Sequence, residues 1–152
     1  MLSKTPRTLV LALMLVSAVS TWGQSREEFG DALGNNLIVS YVTGYQLVHT
    51  IGDAYFKGYP KTDALEKCEF ATQLLEGSRA YFAQMIQAYR QAGMMSDADR
   101  TNSLEYITVY DKLIEAAGYL SRFIASDGSS AEAFNQYSNI MAAIYRGLEG
   151  DQ

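Results

Sequence analysis

The sequence has few of the residues from which small proteins build disulfide frameworks and metal sites. Its 152 residues include one cysteine, one histidine, one tryptophan and two prolines. One cysteine cannot form an internal disulfide, so the hydrophobic core must stabilise the fold alone. One cysteine also excludes the Cys-x-x-Cys-His attachment of a covalent haem, and one histidine excludes the two Glu-x-x-His pairs of a di-iron bundle.

The sequence also lacks recognisable catalytic motifs. It contains no P-loop, no dinucleotide-binding fingerprint, no zinc motif and no Ser/His/Asp set. A lone histidine and scattered carboxylates do not form a convergent catalytic group, so we expect that the protein is not an enzyme. Histidine and one methionine could still ligate a haem, but methionines on helical seams usually fill cores. We therefore expect no cofactor and no metal.

Residues 1–20 have the pattern of a bacterial export signal. Lys4 and Arg7 precede an apolar run that ends at Val19, and small residues suit cleavage after Ser20. The segment is either a cleaved signal peptide or a retained membrane anchor. In both cases we expect an exported protein, periplasmic or secreted.

The charge of the chain narrows the choice of partners. The formal net charge is −5, and the acidic residues are spread along the sequence. This argues against nucleic acid and against an anionic membrane surface. Cys68 has two interpretations: it is a buried, inert thiol, or it links two copies in a disulfide-bonded homodimer.

The longest stretch without a charged side chain runs from Ala32 to Gly52, between Asp31 and Asp53. We predict that it is the central part of a long helix packed on most of its circumference, because an uncharged segment is most simply one that its neighbours cover. Its 21 residues are also long enough to cross a bilayer. Asparagine, glutamine, histidine and glycine within it count against a membrane span.

Two adjacent stripes of residues run along this helix at heptad spacing. The first stripe comprises Leu37, Tyr41, Gly44, Val48, Ile51 and Tyr55. The second stripe comprises Ile38, Val42, Tyr45, His49, Gly52 and Phe56. Together they make an apolar face wider than a coiled-coil seam needs, which is typical of a helix that contacts two or more neighbours.

Capping and turn signals divide the rest of the chain into three further helices. Three pairs resemble capping boxes at the starts of these helices: Asp63 with Glu66, Ser96 with Asp99, and Ser129 with Glu132. Because the connections are short, consecutive helices must be antiparallel neighbours. We predict an all-α fold, an antiparallel up-down-up-down four-helix bundle over residues 35–150. It is preceded by the signal peptide and by a lead-in at residues 21–34, where Gly30 and Gly34 weaken any helix.

His49 and Asp53 form the most notable pair of polar residues. They lie four apart on one helix face, so the carboxylate can orient the imidazole and raise its pKa. Tyr45 and Gln46 are close by. We consider a polar ligand-binding site inside the bundle and, as the alternative, a purely structural His–Asp contact.

Tyrosine is more abundant than a core of this size requires, with eleven residues in the chain. The rings lie either at the core boundary or in an aromatic groove or protein interface, where tyrosine is enriched. We predict an exported, non-enzymatic helical binding or interaction module, with a protein or a small ligand as partner. The alternative is a small-ligand or cofactor carrier with a polar site near His49 and Asp53.

Overall fold

The computed structural model describes the backbone of residues 26–150 and the side chains of residues 34–148. Within this range the chain forms four α-helices and no strand. They are α1 (Arg26–Phe56), α2 (Lys61–Gln91), α3 (Asp97–Ala125) and α4 (Ala131–Gly150). The all-α prediction is confirmed, whereas the signal peptide at residues 1–20 and the start of the lead-in lie outside the described residues.

α1 begins earlier than the sequence indicates: residues 26–34 of the predicted lead-in are already part of the helix. The helix runs from Arg26 through Gly30 and Gly34 without interruption. Each glycine costs about 1 kcal/mol of helix propensity, but extending an existing helix adds a hydrogen bond with every residue. Two glycines are therefore not enough to end this helix.

Contacts between helix ends show how the helices run. Lys61 at the start of α2 donates hydrogen bonds to the carbonyl of Ala125 at 2.8 Å and to Asp127 Oδ1 at 2.7 Å, beside the end of α3. The rings of Phe56 and Phe134, whose centroids are 5.7 Å apart, join the end of α1 to the start of α4. The pairs α2–α3 and α1–α4 are therefore antiparallel.

α3 is the central helix of the fold. The other three helices all pack against it, whereas α1 and α4 contact each other at only a few positions. Its fully buried side chains are Tyr110, Leu113, Ala116, Ala117, Leu120 and Ile124. The four helices therefore do not form an evenly packed square, and the seam between α1 and α4 is left open.

α1 is buried along one side only. Leu37 and Val48 of the first stripe have no exposed surface, but Ile38 of the second stripe is 37 % exposed and Phe56 is 52 % exposed. Val39, on the outer side, is 66 % exposed. The prediction that α1 is covered on most of its circumference is wrong, because α4 packs on α3 and leaves the second stripe partly uncovered.

Ser96 and Asp99 form the predicted capping box at the start of α3. Ser96 Oγ accepts a hydrogen bond from the Asp99 backbone N–H at 3.1 Å, and Asp99 Oδ2 accepts one from the Ser96 N–H at 3.2 Å. The corresponding prediction for Asp63 is wrong. α2 already begins at Lys61, so Asp63 lies within its first turn and does not cap it.

The cap of α4 lies one residue further along than predicted. Ser130 Oγ accepts a hydrogen bond from the Ala133 backbone N–H at 3.3 Å. Ser129 Oγ instead donates to the Ser126 carbonyl at 2.7 Å, within the preceding turn. The Ser129 hydroxyl therefore stabilises the turn before α4, and the Ser130 hydroxyl caps the helix in its place.

Candidate binding groove

An open groove with a volume of about 520 Å³ lies along the seam between α1 and α4. Its α1 wall comprises Tyr45, His49, Asp53 and Phe56. Its α4 wall comprises Phe134, Tyr137, Ser138, Met141, Ala142 and Tyr145. Three of the four predicted site residues thus come together in one place, which we call the α1–α4 groove. The fourth, Gln46, is exposed and does not line it.

An aromatic pair spans the α1–α4 groove near each end. The ring centroids of Tyr45 and Tyr145 are 6.3 Å apart, and those of Phe56 and Phe134 are 5.7 Å apart. On both helices the two rings are eleven positions apart, which corresponds to roughly 16 Å along a helix axis. The groove is therefore a slot of about that length, bounded by two ring pairs.

Phe123 of α3 joins the pair of phenylalanines to the core. Its ring centroid lies 5.7 Å from that of Phe56 and 5.3 Å from that of Phe134, and the rings are tilted rather than face to face. Tilted and edge-on arrangements at these distances are favourable for aromatic rings. Phe123 is buried, whereas Phe134 is 37 % exposed. The two outer rings are thus held from below and keep part of their surface open to solvent.

The middle of the α1–α4 groove is polar on one wall and small on the other. His49 and Asp53 lie between the ring pairs on α1, and Ser138 and Ala142 lie on the α4 wall. The His49 imidazole stacks on the Tyr45 ring, with 5.9 Å between centroids and an interplanar angle of 27°. Because the side chains of Ser138 and Ala142 are short, the space between the two ring pairs stays open.

Asp53 pairs with Lys57 and not with His49. Lys57 Nζ donates a hydrogen bond to Asp53 Oδ2 at 2.6 Å, and both side chains are exposed. This hydrogen bond is the main cause that lowers the pKa of the Asp53 carboxyl; desolvation opposes it, and the charges of Lys57 and His49 lower the pKa further. The carboxyl is therefore ionised at the surface of the molecule, rather than inside the bundle as the sequence suggests.

Tyr137 and Met141 form the buried floor of the groove. Burial raises the pKa of Tyr137 to about 12, and the charges of Tyr45, Cys68 and Asp53 contribute smaller increases. The phenol is therefore protonated and can donate or accept a hydrogen bond. Its hydroxyl lies close to Gly52, where a Cβ would come within 2.6 Å of it.

Cys68 lies in the core and not at an interface. Its side chain is 1 % exposed, and burial raises the pKa of the thiol to about 11. A thiol that is neither exposed nor ionised cannot join a disulfide with another copy while the chain is folded. The hypothesis of a disulfide-linked homodimer is therefore contradicted, and the buried-thiol interpretation is the one that fits.

A second groove, with a volume of about 540 Å³, lies between α3 and α4 and reaches Tyr41 of α1. Its apolar lining residues include Val109, Ile140, Ile144 and Leu148. None of the predicted site residues lies in it. It holds one aromatic pair, the stacked rings of Tyr41 and Tyr106 with 5.8 Å between centroids, whereas the α1–α4 groove has a pair near each end.

The sequence indicates only part of the α1–α4 groove. Tyr45, His49 and Phe56 belong to the second stripe, so a heptad reading already places them on one side of α1. Tyr145 lies beside the apolar stripe of α4, and an aromatic ring off the core stripe is the signal that could have identified it. No sequence pattern identifies Ala142 as a groove residue, because its place in the groove wall depends on how α1 and α4 are spaced.

Comparison of the chain with protein families, with curated proteins and with solved structures finds no match. Among the residues described, no three or more histidine, cysteine, aspartate or glutamate side chains come together to hold a metal ion. No helix in the same part of the chain is long and apolar enough to cross a membrane. The candidate function therefore rests on the α1–α4 groove and its chemistry.

Proposed function

We propose that the protein is an exported, non-enzymatic binding module that holds a segment of another molecule in the α1–α4 groove. The observation that carries the proposal is the partly uncovered second stripe of α1. This stripe has the spacing and composition of a helix–helix contact, yet Ile38, His49 and Phe56 remain exposed. A partner that packs along it would complete the contact.

The exposed rings on both walls support this proposal. Phe56 is 52 % exposed, and on the facing wall Tyr145 is 47 % exposed. Covering apolar surface contributes about 25 cal/mol for each Å² removed from water. Exposed apolar groups gathered around one groove are typical of an interaction site, whereas single exposed residues are not.

The distribution of charge points to the same face. α2 and α3 carry eight charged side chains each, but α1 has none between Asp31 and Asp53. Within the described side chains of α4, only Glu132 and Arg146 are charged. The centres of protein interfaces are depleted in charge and enriched in aromatic residues. The α1–α4 face is the less charged of the two, and it gathers the exposed rings of Phe56, Phe134 and Tyr145 around one groove.

The contacts of the described groove residues support a binding role over a catalytic one, because no hydrogen bond joins the Ser138 hydroxyl to the His49 imidazole. The groove's one carboxylate, Asp53, is paired with Lys57, and its one imidazole, His49, stacks on Tyr45. General acid–base catalysis needs a side chain that is held within hydrogen-bond reach of the reacting group by further partners. Neither group has that support among the described residues.

A small-ligand or cofactor carrier is the second candidate function. It is favoured by one observation, the polar stretch of His49 and Asp53 that lies between two aromatic pairs. Both candidates use the same groove. They differ in whether the occupant is a small molecule or part of a macromolecule.

Native mass spectrometry of the protein purified from the exported fraction of its own host tests this proposal. Ala142→Trp fills the groove from its exposed α4 wall, and Ala88→Trp is a matched control at an exposed position on α2. We expect an added mass on the wild type and on the control, and none on Ala142→Trp. The chain mass should begin at Thr21. An added mass that survives Ala142→Trp would contradict the groove, and an intact N-terminus would contradict cleavage.

A further inference from the structure

We propose that the α1–α4 groove binds an organic cation, an ammonium, quaternary ammonium or guanidinium group, between Asp53 and the rings of Phe56, Phe134 and Tyr137. The inference rests on the proposed binding function and specifies the chemistry that the groove accepts. It depends on three features of the groove, which are its rings, its carboxylate and the cation that the carboxylate already holds.

The rings near Asp53 form one half of the slot. Phe56 lies three residues after Asp53 on α1, so the two side chains share a face of the helix. Phe134 contacts Phe56 across the groove at 5.7 Å. A cation within about 6 Å of a ring centroid is attracted by the negative face of the ring, and quaternary ammonium groups are commonly bound in this way.

The carboxylate of Asp53 supplies the opposite charge. Among the described side chains it is the only acidic one that lines the groove, and its lowered pKa keeps it ionised. It lines the same groove as Tyr137, whose buried ring forms part of the floor. A cation between Asp53 and the two phenylalanine rings would therefore meet one full negative charge and several ring faces.

Lys57 shows that the carboxylate accepts an ammonium group. Its Nζ lies 2.6 Å from Asp53 Oδ2, but the lysine side chain is 74 % exposed. Exposed pairs of this kind are weak, because solvent screens them and the long side chain loses freedom. A ligand that contacts both the carboxylate and the rings gains more than Lys57 does, and the lysine can move into solvent when it is displaced.

The rest of the molecule is compatible with a cationic ligand. The chain has a formal net charge of −5, which attracts cations over a distance. The same chemistry occurs elsewhere among the described residues, where the Arg122 guanidinium lies 4.1 Å from the centroid of the Tyr119 ring. That contact is on α3, neither residue lines the groove, and both groups belong to the chain.

A pair of ligands with the same shape and different charge tests the inference. Choline and its neutral carbon analogue 3,3-dimethyl-1-butanol are titrated into the isotope-labelled, exported form of the chain, and amide shifts are followed by NMR. We expect choline to shift the amides around Asp53, Phe56 and Phe134 and to bind roughly fivefold more tightly than the alcohol. Equal affinities for the two ligands, or shifts elsewhere in the chain, would overturn the inference.

Three substitutions test whether the charge of Asp53 causes the preference for choline. Asp53→Asn should remove the preference for choline over the alcohol, whereas Asp111→Asn, in the exposed pair with Arg79, should leave it unchanged. Lys57→Ala should raise the affinity for choline by about threefold, because the competing ammonium is gone. An unchanged or lower affinity in Lys57→Ala would contradict the displacement of Lys57.

The cation can come from a free small molecule or from a lysine or arginine side chain of a partner. N-acetyl-lysine methylamide titrated in the same way distinguishes these sources: tighter binding than choline indicates a side chain, and weaker binding a free quaternary ammonium. One outcome is that neither cation binds in the titrations while the exported wild type still carries an added mass that Ala142→Trp lacks. In that case the cation inference fails, and the proposal that the groove is a binding site is retained. If there is no added mass either, the proposed binding function fails as well.

Discussion

Glycines inside the helices have very different surroundings, and these show where the helices approach one another. A Cβ placed on Gly44 of α1 would lie 2.7 Å from Leu75 Cδ2 and 3.3 Å from Leu113 Cδ1. A Cβ on Gly77 of α2 would meet nothing within 4 Å. The missing side chain of Gly44 therefore allows α1 to pack closely against α2 and α3, as its place in the first stripe indicates. Gly77 allows no such close contact.

The two glycines should respond in opposite directions to alanine. Gly44→Ala should lower the free energy of unfolding by about 1–3 kcal/mol, because the buried Leu75 must move. Gly77→Ala should raise it by about 0.5–1 kcal/mol, because the helix propensity improves and no contact is lost. Urea denaturation measures both. A stabilised Gly44→Ala would show that α1 and α2 are further apart than described.

Tyr110 has the only buried side-chain polar atom, among the described residues, without a hydrogen-bond partner. Burial raises the pKa of Tyr110 to about 12; Ser40 opposes the shift, although the two hydroxyls do not meet hydrogen-bond geometry. Tyr110→Phe should therefore leave the free energy of unfolding unchanged or raise it by about 1 kcal/mol. A loss of more than about 1 kcal/mol in urea denaturation would mean that the hydroxyl has a partner.

At the scale of the helices, Ser96 and Asp63 look alike as helix caps in the sequence, but only Ser96 caps a helix in the structure. Ser96→Ala should lower the free energy of unfolding by about 1 kcal/mol, because it removes the observed capping box of α3. Asp63→Ala should cost only a few tenths of a kcal/mol, since Asp63 interacts with the dipole of α2 and caps nothing. Equal losses for the two variants in thermal or urea unfolding would contradict this assignment.

The helices and their buried stripes follow from local spacing, and the groove does not. Leu37, Val48 and Ile51 are buried because a heptad repeat places them on one side of α1, whatever the partner is. Whether the second stripe is also covered depends on where α4 packs, which is a contact between residues about ninety positions apart. The sequence could therefore predict that Tyr45, His49 and Phe56 share a side of α1, but not that this side stays open.

The pairing of Asp53 could not be predicted from local sequence patterns either. Asp53 and His49 are spaced for a contact along the helix, but Asp53 and Lys57 have the same spacing. The ammonium of Lys57 is the stronger partner for a carboxylate at the surface, because it carries a full charge. The choice between the two follows from exposure, which the sequence does not reveal.

At the scale of the whole molecule, three buried acidic groups limit stability at high pH. Cys68 ionises near pH 9 when exposed and near pH 11 in the fold, and Tyr110 and Tyr137 ionise near pH 10 when exposed and near pH 12 in the fold. Between these values the unfolded chain releases protons that the folded chain retains. These three groups should therefore leave stability unaffected below about pH 9. Above it stability should fall, by about 1.4 kcal/mol per pH unit for each group that lies between its two pKa values.

Cys68→Ala provides the control for this prediction. Without the thiol, the onset of the loss should move from about pH 9 to about pH 10, where the two phenols begin to ionise in the unfolded chain. Urea denaturation at a series of pH values measures the onset. A stability that stays constant to pH 11 in the wild type would mean that these side chains reach solvent in the fold.

The molecule has two faces of different chemistry. α2 and α3 are covered with charged side chains, and the seam of α1 and α4 presents aromatic rings around a single carboxylate. A face with little charge and exposed rings costs free energy in water unless something covers it. The central claim is therefore that the α1–α4 groove is covered when the protein is in its native compartment.

Photo-crosslinking in the host tests this claim most directly. Benzoylphenylalanine replaces Tyr145, an exposed ring on the groove wall, or, as the control, Phe70, an equally exposed ring on α2, and cells are irradiated before the exported fraction is analysed by mass. We expect a discrete crosslinked species from position 145 and none from position 70. No crosslink from position 145, or the same species from both positions, would contradict the groove as the binding site.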